Sequence, residues 1–383
     1  MDILFLTTVL PTERLTGSEV VSDAFVRALR ADGHGVTVLG YRRRGCAPPL
    51  HRDDVAVADR HIETRGAGAR PGLWMARAIF QRQPYSAVKY ASRPYRSAAS
   101  KRHRHSGRTL VVIDHAQMGW VVPATGWSVP HAYLAHNVEH RLYAQLAEKG
   151  GVYTWLHRRE SARILRAEVR LCRTAAAVWS LTAKDAAALT QLGGAPARAF
   201  DTPATVVPPD PGPAHCDVAL LGSWTWEANA AGLRWFLDSV LPRLAPGLDV
   251  RVAGAGAEEV VGPRDGVSAR GRVPDAMGFL QTARVIAVPA TAGTGVQVKT
   301  LDAIACGRPV VVTPMGMRGI ADPPEGVSVA ADPEAFASAL QEAVDAPGLD
   351  HVRTDGREWA QRRATRFDEQ VHDALLDLGG PGS

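Results

Sequence analysis

Cysteine is scarce in this chain, whose 383 residues hold only four. They are Cys46, Cys172, Cys216 and Cys306, and their wide spacing fits neither a metal site nor a disulfide scaffold. Long hydrophobic runs are also missing, because none approaches the roughly 18 residues that a membrane-spanning helix needs. The first residues, MDILFLTTVLPTE, are typical of a strand and not of a signal peptide. We therefore expect free thiols and a cytoplasmic protein.

Lysine is almost absent, since only five of the 44 basic residues are lysines. The net charge of +5 is modest and predicts no nucleic-acid partner. Positive charge is concentrated in two clusters, Arg42–Arg44 and residues 93–108, RPYRSAASKRHRHSGR. A solvated loop is the simplest interpretation of such clusters. Anionic lipid or a phosphorylated acceptor would also bind them, so peripheral contact with the inner face of a membrane stays open.

Strands and helices alternate along two halves of the chain. In the first half, strands are expected at 2–8, 36–39, 109–113, 132–135 and 176–181, and helices at 18–32, 73–83, 85–100, 155–173 and 183–192. Residues 45–108 are otherwise poorly patterned. The stretch 202–216, TPATVVPPDPGPAHC, holds five prolines and is typical of a linker. The second half predicts strands at 217–221, 250–253, 285–290 and 310–313, and helices at 229–241, 296–306 and 357–378.

This order predicts an α/β protein with two Rossmann-like parallel-sheet domains. An apolar content of 46% is enough for two cores. The domains are expected at residues 1–203 and 204–355. Residues 356–383 are expected to form a C-terminal helix that crosses back to the first domain.

The segment from Thr291 to Ile320, TAGTGVQVKTLDAIACGRPVVVTPMGMRGI, carries the most information about function. It predicts a glycine turn between a buried strand and a helix, where α/β sheets bind ligands. Glycines and free helix amides favour a diphosphate. Lys299 and Asp302 share one helix face, so a cation would neutralise phosphate beside a carboxylate that accepts ribose hydroxyls. An ordinary glycine turn with a solvated charge pair is the competing interpretation.

Several segments together resemble the retaining glycosyltransferases of the GT-B fold, in the large bacterial family 4. LLGSWTWEANAAGLRWFLDSVLPRL resembles the start of that family's donor domain, and GRVPDAMGFLQTARVIAVPATAGTGVQVKTLDAIACGRPVVVTPMGMRGI resembles its donor-binding core. TGSEVVSDAFVRALRADGHGVTVL resembles its first βαβ unit, and AHNVEHRLY recurs in one branch. The resemblance implies two Rossmann-like domains that face each other across a cleft, residues 1–203 for the acceptor and residues 204–355 for the donor.

The same resemblance implies roles for individual donor residues. Gly17 and Ser18 would approach the donor diphosphate or the acceptor, although helix capping by Thr16 or Ser18 explains them nearly as well. Lys299 would neutralise the diphosphate and Asp302 would bind the ribose. The other donor contacts implied are Ser223 at the cleft, Gly271, Arg272 and Val273 at the base, and Gly293, Thr294, Gly295 and Val296 at the diphosphate.

One position departs from the family's pattern. The family has an acidic pair eight residues apart, but Thr294 stands eight residues before Asp302. A branch with a GxG loop followed by K-x-L-E also lacks the first glutamate, so activity is compatible with this loop. The carboxylate that would contact the sugar is left unassigned.

The resemblance implies front-face displacement with retention, in which the leaving diphosphate takes the acceptor proton. Lys299 and the loop amides would stabilise the departing charge. Because they can carry that charge, and because no Asp-x-Asp motif is present, we predict no metal and no cofactor.

Histidines supply the remaining candidates. His115 follows the strand at 109–113, where the family has a histidine that hydrogen-bonds the sugar, and a structural histidine is the alternative. His136 and Asn137 follow the next strand and are the expected acceptor contacts. Glu139 and Asp185 are either helix caps or acceptor contacts.

The sequence thus predicts transfer of a sugar from a nucleotide-diphosphate donor, with UDP favoured, to a hydroxyl acceptor. The acceptor is a glycan, a lipid-linked compound or a small natural product, bound by loops within residues 41–108. Two alternatives stay open: a catalytically degenerate nucleotide-binding or regulatory protein, and a nucleotide-sugar 2-epimerase. The oligomeric state is not indicated.

Overall fold

A computed structural model describes residues 1–14, 16–46, 48, 51–60, 68–103, 109–122, 130–148, 150–205, 212–293, 295–346 and 350–379. The chain divides into two compact units. The first is Met1–Phe200 together with the C-terminal segment from Asp368, and the second is Asp201–Phe367. The domain boundaries expected after residues 203 and 355 stay predictions.

The first unit is built on a seven-stranded parallel sheet. Its strands are β1 (Asp2–Val9), β2 (Gly35–Arg43), β3 (Asp54–Arg60), β4 (Thr109–Asp114), β5 (His131–Ala135), β6 (Ala177–Ser180) and β7 (Ala197–Ala199). They lie in the order β3-β2-β1-β4-β5-β6-β7. The central strands are apolar on both faces, as parallel sheets covered by helices require.

Besides two 3₁₀ turns, Pro11–Glu13 and Ala116–Met118, and the end of the C-terminal helix, seven α-helices of at least one turn lie in the described ranges of this unit. They are α1 (Gly17–Ala31), α2 (Arg70–Phe80), α3 (Tyr85–Val88), α4 (Arg93–His103), α5 (Glu139–Glu148), α6 (Thr154–Thr174) and α7 (Ala183–Thr190). Thr16 caps α1, since its side chain accepts from the Glu19 amide, and Thr182 caps α7 through the Asp185 amide. The prediction of a cap is thus confirmed for Thr16, and Asp185 completes the cap of α7 by hydrogen-bonding Thr182.

The second unit repeats the architecture with six parallel strands. They are β8 (Cys216–Leu221), β9 (Val250–Ala253), β10 (Val267–Arg270), β11 (Ala283–Val288), β12 (Val310–Val312) and β13 (Val327–Val329). Their order is β10-β9-β8-β11-β12-β13. This is the doubly wound order, in which the first and fourth strands of the unit lie side by side. Later strands are added outward on opposite sides of this pair, so the strand order reverses there, at the reversal point of the sheet.

The helices of the second unit pack on both faces of that sheet. They are α8 (Glu227–Trp235), α9 (Ala257–Val261), α10 (Ala276–Gln281), α11 (Val298–Ala305) and α12 (Pro333–Asp345). The last helix, α13 (Asp350–Gly379), starts in this unit, and its residues from Asp368 onward group with the first unit. Two clusters of buried side chains, centred on Phe236 with Phe336 and on Leu301 with Ile304, form the core.

Most expected elements are present. β7, β10, β13, α9 and α12 were not predicted, and three further stretches differ locally from expectation. β3 lies in the stretch that looked poorly patterned, and it pairs with β2. The helix expected at 85–100 is divided into α3 and α4, since Pro94 fixes a new helix start. The helix expected at 229–241 is α-helical only to Trp235 and continues as a π-turn over Phe236–Val240.

Two features bear on compartment and membrane. Cys172, Cys216 and Cys306 are free thiols, as predicted. None of the described helices is long and apolar enough to cross a membrane.

Candidate functional site

Three of the residues expected to bind the donor, Ser223, Gly293 and Gly295, lie at the reversal point of the second sheet. Ser223 follows the end of β8, and Gly293 and Gly295 follow the end of β11. Because β8 and β11 are neighbours and parallel, their carboxyl ends open at the same edge of the sheet. Doubly wound sheets bind ligands at this place.

The glycine loop before α11 needs glycine at two positions. Gly293 has φ of 140° and Gly295 has φ of 72°, backbone conformations that residues other than glycine rarely adopt. A Cβ at Gly293 would also lie 2.9 Å from Nε2 of Gln297. Thr294, which was expected at the diphosphate, lies outside the described residues, and Val296 is partly buried beside Gly295. At these two glycines the loop has only backbone to present, just before α11.

Lys299 is held at the start of α11 by a neighbour from α8. Its Nζ donates to Oδ1 of Asn229 at 2.9 Å, and Nδ2 of Asn229 donates to the Ser223 carbonyl at 3.0 Å. This chain joins the loop after β8 to the helix after the glycine loop. The sequence indicated Lys299 and Ser223 but gave no reason to single out Asn229.

Burial makes the positive charge of Lys299 less stable than that of an exposed lysine. Its side chain is only partly accessible, and burial lowers the pKa of its ammonium group from 10.5 to about 8. Asn229 supplies a neutral acceptor and no counter-charge. An anion bound at the glycine loop would find a lysine that is charged at neutral pH and already poorly solvated.

Asp302, one turn further along α11, is engaged by Thr205. Its Oδ1 accepts the Thr205 amide at 2.7 Å, and its Oδ2 accepts the Thr205 hydroxyl at 2.9 Å. Burial raises the pKa of this carboxyl from 3.8 to about 6, although the two hydrogen bonds act in the opposite direction. Each oxygen has a second lone pair, so the carboxylate keeps acceptor capacity for a ribose hydroxyl.

The residues expected at the base follow β10. Gly271 and Val273 are half-buried and Arg272 is exposed. The Gly271 carbonyl accepts the Gly254 amide at 2.9 Å, which ties this loop to the end of β9. All three residues therefore lie at the carboxyl edge of the same sheet as the glycine loop.

In the first unit, the corresponding edge carries a buried aspartate that the sequence did not single out. Asp114, fully buried at the end of β4, accepts hydrogen bonds from the hydroxyls of Thr7 and Ser22 at 2.6 and 2.7 Å. His136 Nε2 lies 2.7 Å from its Oδ1. Burial alone would raise the pKa of Asp114, but the charges of His115 and His136 and the hydrogen bonds lower it to about 2. As the carboxylate can only accept, His136 must donate through Nε2.

His115 lies against this pair in an unusual conformation. Its φ is 74°, a region that costs a residue with a side chain about 1–3 kcal/mol. Its ring stacks on His136 with centroids 3.9 Å apart, and its Nε2 lies 3.6 Å from Asp114. Burial lowers the pKa of His115 to about 4, against the opposing effect of Asp114, so the ring is neutral at pH 7.

These three residues also have a ligand-like arrangement. One ligand atom each of Asp114, His115 and His136 lies within 4.8 Å of the others, so the trio could hold a metal ion. Asp114 already accepts three hydrogen bonds from Thr7, Ser22 and His136. Its environment is therefore explained by hydrogen bonding as well.

The start of α1 lies close to this cluster. The Ser22 hydroxyl oxygen lies 2.7 Å from Asp114 Oδ2 and 3.0 Å from the Ser18 carbonyl oxygen, so its single proton is shared between these two acceptors. The first turn, with Gly17 and Ser18, is thereby fixed one helical turn from Asp114. The structure thus brings four predicted residues, Gly17, Ser18, His115 and His136, to one edge of the first sheet.

Asn137 belongs to a second buried network behind the histidines. Gln117 and Asn137 hydrogen-bond to Glu139, whose backbone amide donates to Glu168 Oε1 at 2.8 Å. Burial and the charge of Glu168 raise the pKa of Glu139 to about 7, while the hydrogen bonds and His136 act in the opposite direction. Glu139 is thus an acid that exchanges its proton near neutral pH, beside the predicted acceptor contacts.

Comparisons with known proteins agree with this architecture. Residues 215–346, about a third of the chain, match the family described as glycosyl transferases group 1. No curated protein matches the sequence significantly.

Solved structures match over nearly the whole length. Sucrose-phosphate synthase from Thermosynechococcus elongatus has a TM-score of 0.66 at 15% identity, over 99% of this chain and 98% of its own. Anabaena HepE, solved with UDP and glucose, has a TM-score of 0.63 at 13% identity, and the match covers 98% of this chain and 99% of HepE. WaaG, a glycosyltransferase involved in lipopolysaccharide biosynthesis, has a TM-score of 0.63 at 17% identity, and the match covers 97% of this chain and 99% of WaaG. The predicted fold class is confirmed: the chain has the GT-B fold, and its second unit carries a segment of the glycosyl transferases group 1 type.

Proposed function

We propose that this protein is a glycosyltransferase that moves a sugar from a nucleotide-diphosphate donor to a hydroxyl acceptor. The observation that carries the proposal is Lys299, a partly buried cation beside a glycine loop at the reversal point of the second sheet. It lies within the segment that matches glycosyl transferases group 1. HepE has been solved with UDP-glucose, which supports a UDP-sugar as the donor here.

The donor would be held by the groups gathered at that edge. The amides around Gly293 and Gly295 and the Lys299 ammonium bind the diphosphate. Asp302, oriented by Thr205, accepts from the ribose. The loop at Gly271–Val273 holds the base.

The proposed reaction proceeds with retention of anomeric configuration. The bond from the anomeric carbon to the diphosphate oxygen breaks, and a bond to the acceptor oxygen forms on the same face. The acceptor proton passes to the leaving diphosphate oxygen, whose charge Lys299 and the amides stabilise. Since this charge is carried by the chain itself, we propose that transfer is independent of metal.

The first unit would supply the contacts to sugar and acceptor. Neutral His115, fixed against Asp114 and His136, can hydrogen-bond a sugar hydroxyl. His136 and Asn137 are proposed for the acceptor. His136 already donates to Asp114, so only its other ring nitrogen is left for that contact.

A thermal-shift screen tests the donor site. UDP, GDP, ADP, dTDP and CDP are each added with and without EDTA to the wild type, Lys299→Ala and Lys184→Ala. Lys184 is the matched control, because it is the second residue of α7 as Lys299 is of α11. UDP at about a hundred times its Kd should stabilise the wild type and the control by about 2.7 kcal/mol, with or without EDTA.

The other outcomes separate the competing functions. No stabilisation by any nucleotide would contradict the donor site, and loss of the shift in EDTA would contradict metal independence. A UDP shift with no consumption of any UDP-sugar would favour the degenerate binding protein. Conversion of the donor into its epimer without an acceptor would favour the 2-epimerase.

A further inference from the structure

The first unit exposes an unusual apolar surface on α2. Leu73 and Phe80 are 69% and 89% exposed, and Ile79 between them is half exposed. Leu73, Arg77 and Phe80 share one helix face, whereas Ala78 faces inward and is fully buried. This helix therefore turns large apolar side chains outward, which marks a surface that another body covers.

The N-terminal turn of α6 extends the surface. Arg159 donates to the carbonyls of Ala78 and Gln83 at 2.7 and 3.3 Å, and Arg163 donates to the Arg82 carbonyl at 3.1 Å. The end of α2 therefore lies alongside the first turns of α6. Trp155, one turn before Arg159, is 58% exposed.

Basic residues outnumber exposed acidic residues on α2 and α6. Residues 68–103 contain no aspartate or glutamate. In α6 the only acids are Glu160 and Glu168, which are 5% and 0% exposed and accept hydrogen bonds from Ser86 and Glu139. Within the described part of the chain, neither Arg82, Arg163 nor Arg166 lies within ion-pair distance of a carboxylate.

The arginines also repel one another. The pKa of Arg163 is lowered by partial desolvation and by the charges of Arg166, Arg159 and Arg82. By contrast, the cluster at Arg42–Arg44 is partly neutralised, because Arg42 pairs with Asp59 and Arg43 with Glu19. Of the cluster at 93–108, residues 104–108 lie outside the described residues.

We propose that the surface formed by Leu73, Phe80, Trp155, Arg82, Arg163 and Arg166, here called the basic apolar face, docks on an anionic phospholipid bilayer. Aliphatic and aromatic side chains enter the boundary between headgroups and acyl chains, and flanking arginines bind the phosphates. Each arginine at such a surface contributes about a fivefold gain in partitioning. Leu73 and Ile79 favour lipid over nucleic acid, since aliphatic side chains offer no ring for a base to stack on. The inference does not depend on sugar transfer.

Co-sedimentation of the full chain with vesicles tests the proposal. Vesicles of phosphatidylcholine alone are compared with vesicles that also contain phosphatidylglycerol, at about 0.1 M and about 1 M salt, where the Debye lengths are about 10 and 3 Å. We expect binding to the anionic vesicles only, and its loss at high salt.

Two double variants and their matched controls locate the contact. Leu73→Ser with Phe80→Ser should weaken binding by more than about tenfold, and Arg82→Gln with Arg166→Gln by roughly 30-fold. The controls are Val329→Ser, at a half-exposed apolar side chain of the second unit, and Arg362→Gln, whose exposed arginine already pairs with Glu358. Both should bind as the wild type does.

Three results would overturn the proposal. One is no binding to anionic vesicles at low salt. Another is binding that the face variants do not weaken. The third is a different occupant: concentration-dependent dimerisation in sedimentation velocity, or tight binding of an oligonucleotide, that the Leu73 and Phe80 changes abolish while vesicle binding is absent.

Discussion

Lys299 connects burial to the pH dependence of donor binding. Burial lowers the pKa of its ammonium group to about 8. In the protein without ligand, the Lys299 side chain is therefore largely protonated at pH 7 and largely deprotonated at pH 9. A bound diphosphate stabilises the charged form and raises that pKa again. Binding must therefore take up protons around pH 8.

We predict that UDP affinity falls about tenfold from pH 7 to pH 9, and that binding at pH 8 takes up about half a proton. Titration calorimetry in two buffers of different ionisation enthalpy measures both quantities. Lys184→Ala should keep the effect, and Lys299→Ala should lose it together with most of the affinity. Equal heats in both buffers for the wild type would contradict the assignment.

The titration of Glu139 predicts how the free energy of unfolding changes with pH. Its folded pKa of about 7 lies above its ordinary value of 4.5, because burial and Glu168 disfavour the carboxylate. Between these two pH values the native state binds more protons than the unfolded state. The free energy of unfolding therefore falls as pH rises through this window, by up to about 3 kcal/mol.

Glu139→Gln removes that titration. The free energy of unfolding of the variant minus that of the wild type should rise by about 1–3 kcal/mol from pH 4.5 to pH 8. Urea unfolding at the two pH values measures it. Glu148→Gln, at an exposed position of the same helix, is the control and should show no such trend. A constant difference between Glu139→Gln and wild type across the range would show that Glu139 is ionised throughout.

At the residue scale, the sequence is informative where a function depends on one short segment. Gly293, Gly295, Lys299 and Asp302 lie within ten residues, so their pattern is visible without a fold. Their partners are not, because Asn229 and Thr205 are 70 and 97 residues away from the side chains they orient. Asp114 was passed over for the same reason, since three of its hydrogen-bond donors come from other segments.

At the scale of elements, α8 shows how packing can reverse a helix preference. In an exposed helix, glycine to alanine stabilises by about 1 kcal/mol. A Cβ at Gly232 would lie 2.0 Å from the Pro289 carbonyl, at the end of β11, so helix and strand end are in backbone contact. Pro289 lies just before the loop proposed to bind the diphosphate.

We predict that Gly232→Ala destabilises the protein by at least about 2 kcal/mol, because the clash is with backbone that cannot rotate away. Gly72→Ala in α2 is the matched control, since nothing lies within 4 Å of a Cβ there. It should be neutral or stabilising by up to about 1 kcal/mol. Denaturant unfolding compares the two, and equal effects would contradict the close approach.

Element prediction succeeded where a single period dominated and failed where tertiary contacts decided. The central strands are continuous apolar runs and were expected within a residue or two. The half-exposed strand β3 has no such run and is stabilised by pairing with β2. The π-turn after Trp235 likewise depends on how Phe236 and Leu237 pack in the core, which periodicity does not encode.

At the scale of the whole molecule, two units repeat one parallel-sheet plan, and each places polar groups at the reversal point of its sheet. The proline-rich stretch between two alternating patterns predicted this duplication. The interpretation of the two units as a glycosyltransferase came from the family resemblance. The match of residues 215–346 to glycosyl transferases group 1 supports that interpretation. Retention is proposed from the family resemblance, and metal independence from the proposed roles of Lys299 and the loop amides.

The most direct test is a proton NMR time course of the enzyme with a UDP-sugar in water and EDTA, where water serves as the acceptor. The anomeric proton of the first free sugar reports configuration before mutarotation obscures it. We predict slow release of UDP with the sugar appearing first in the donor's own anomeric form, and no release by Lys299→Ala. Appearance of the opposite anomer first, or an unchanged UDP-sugar, would contradict a retaining, metal-independent glycosyltransferase.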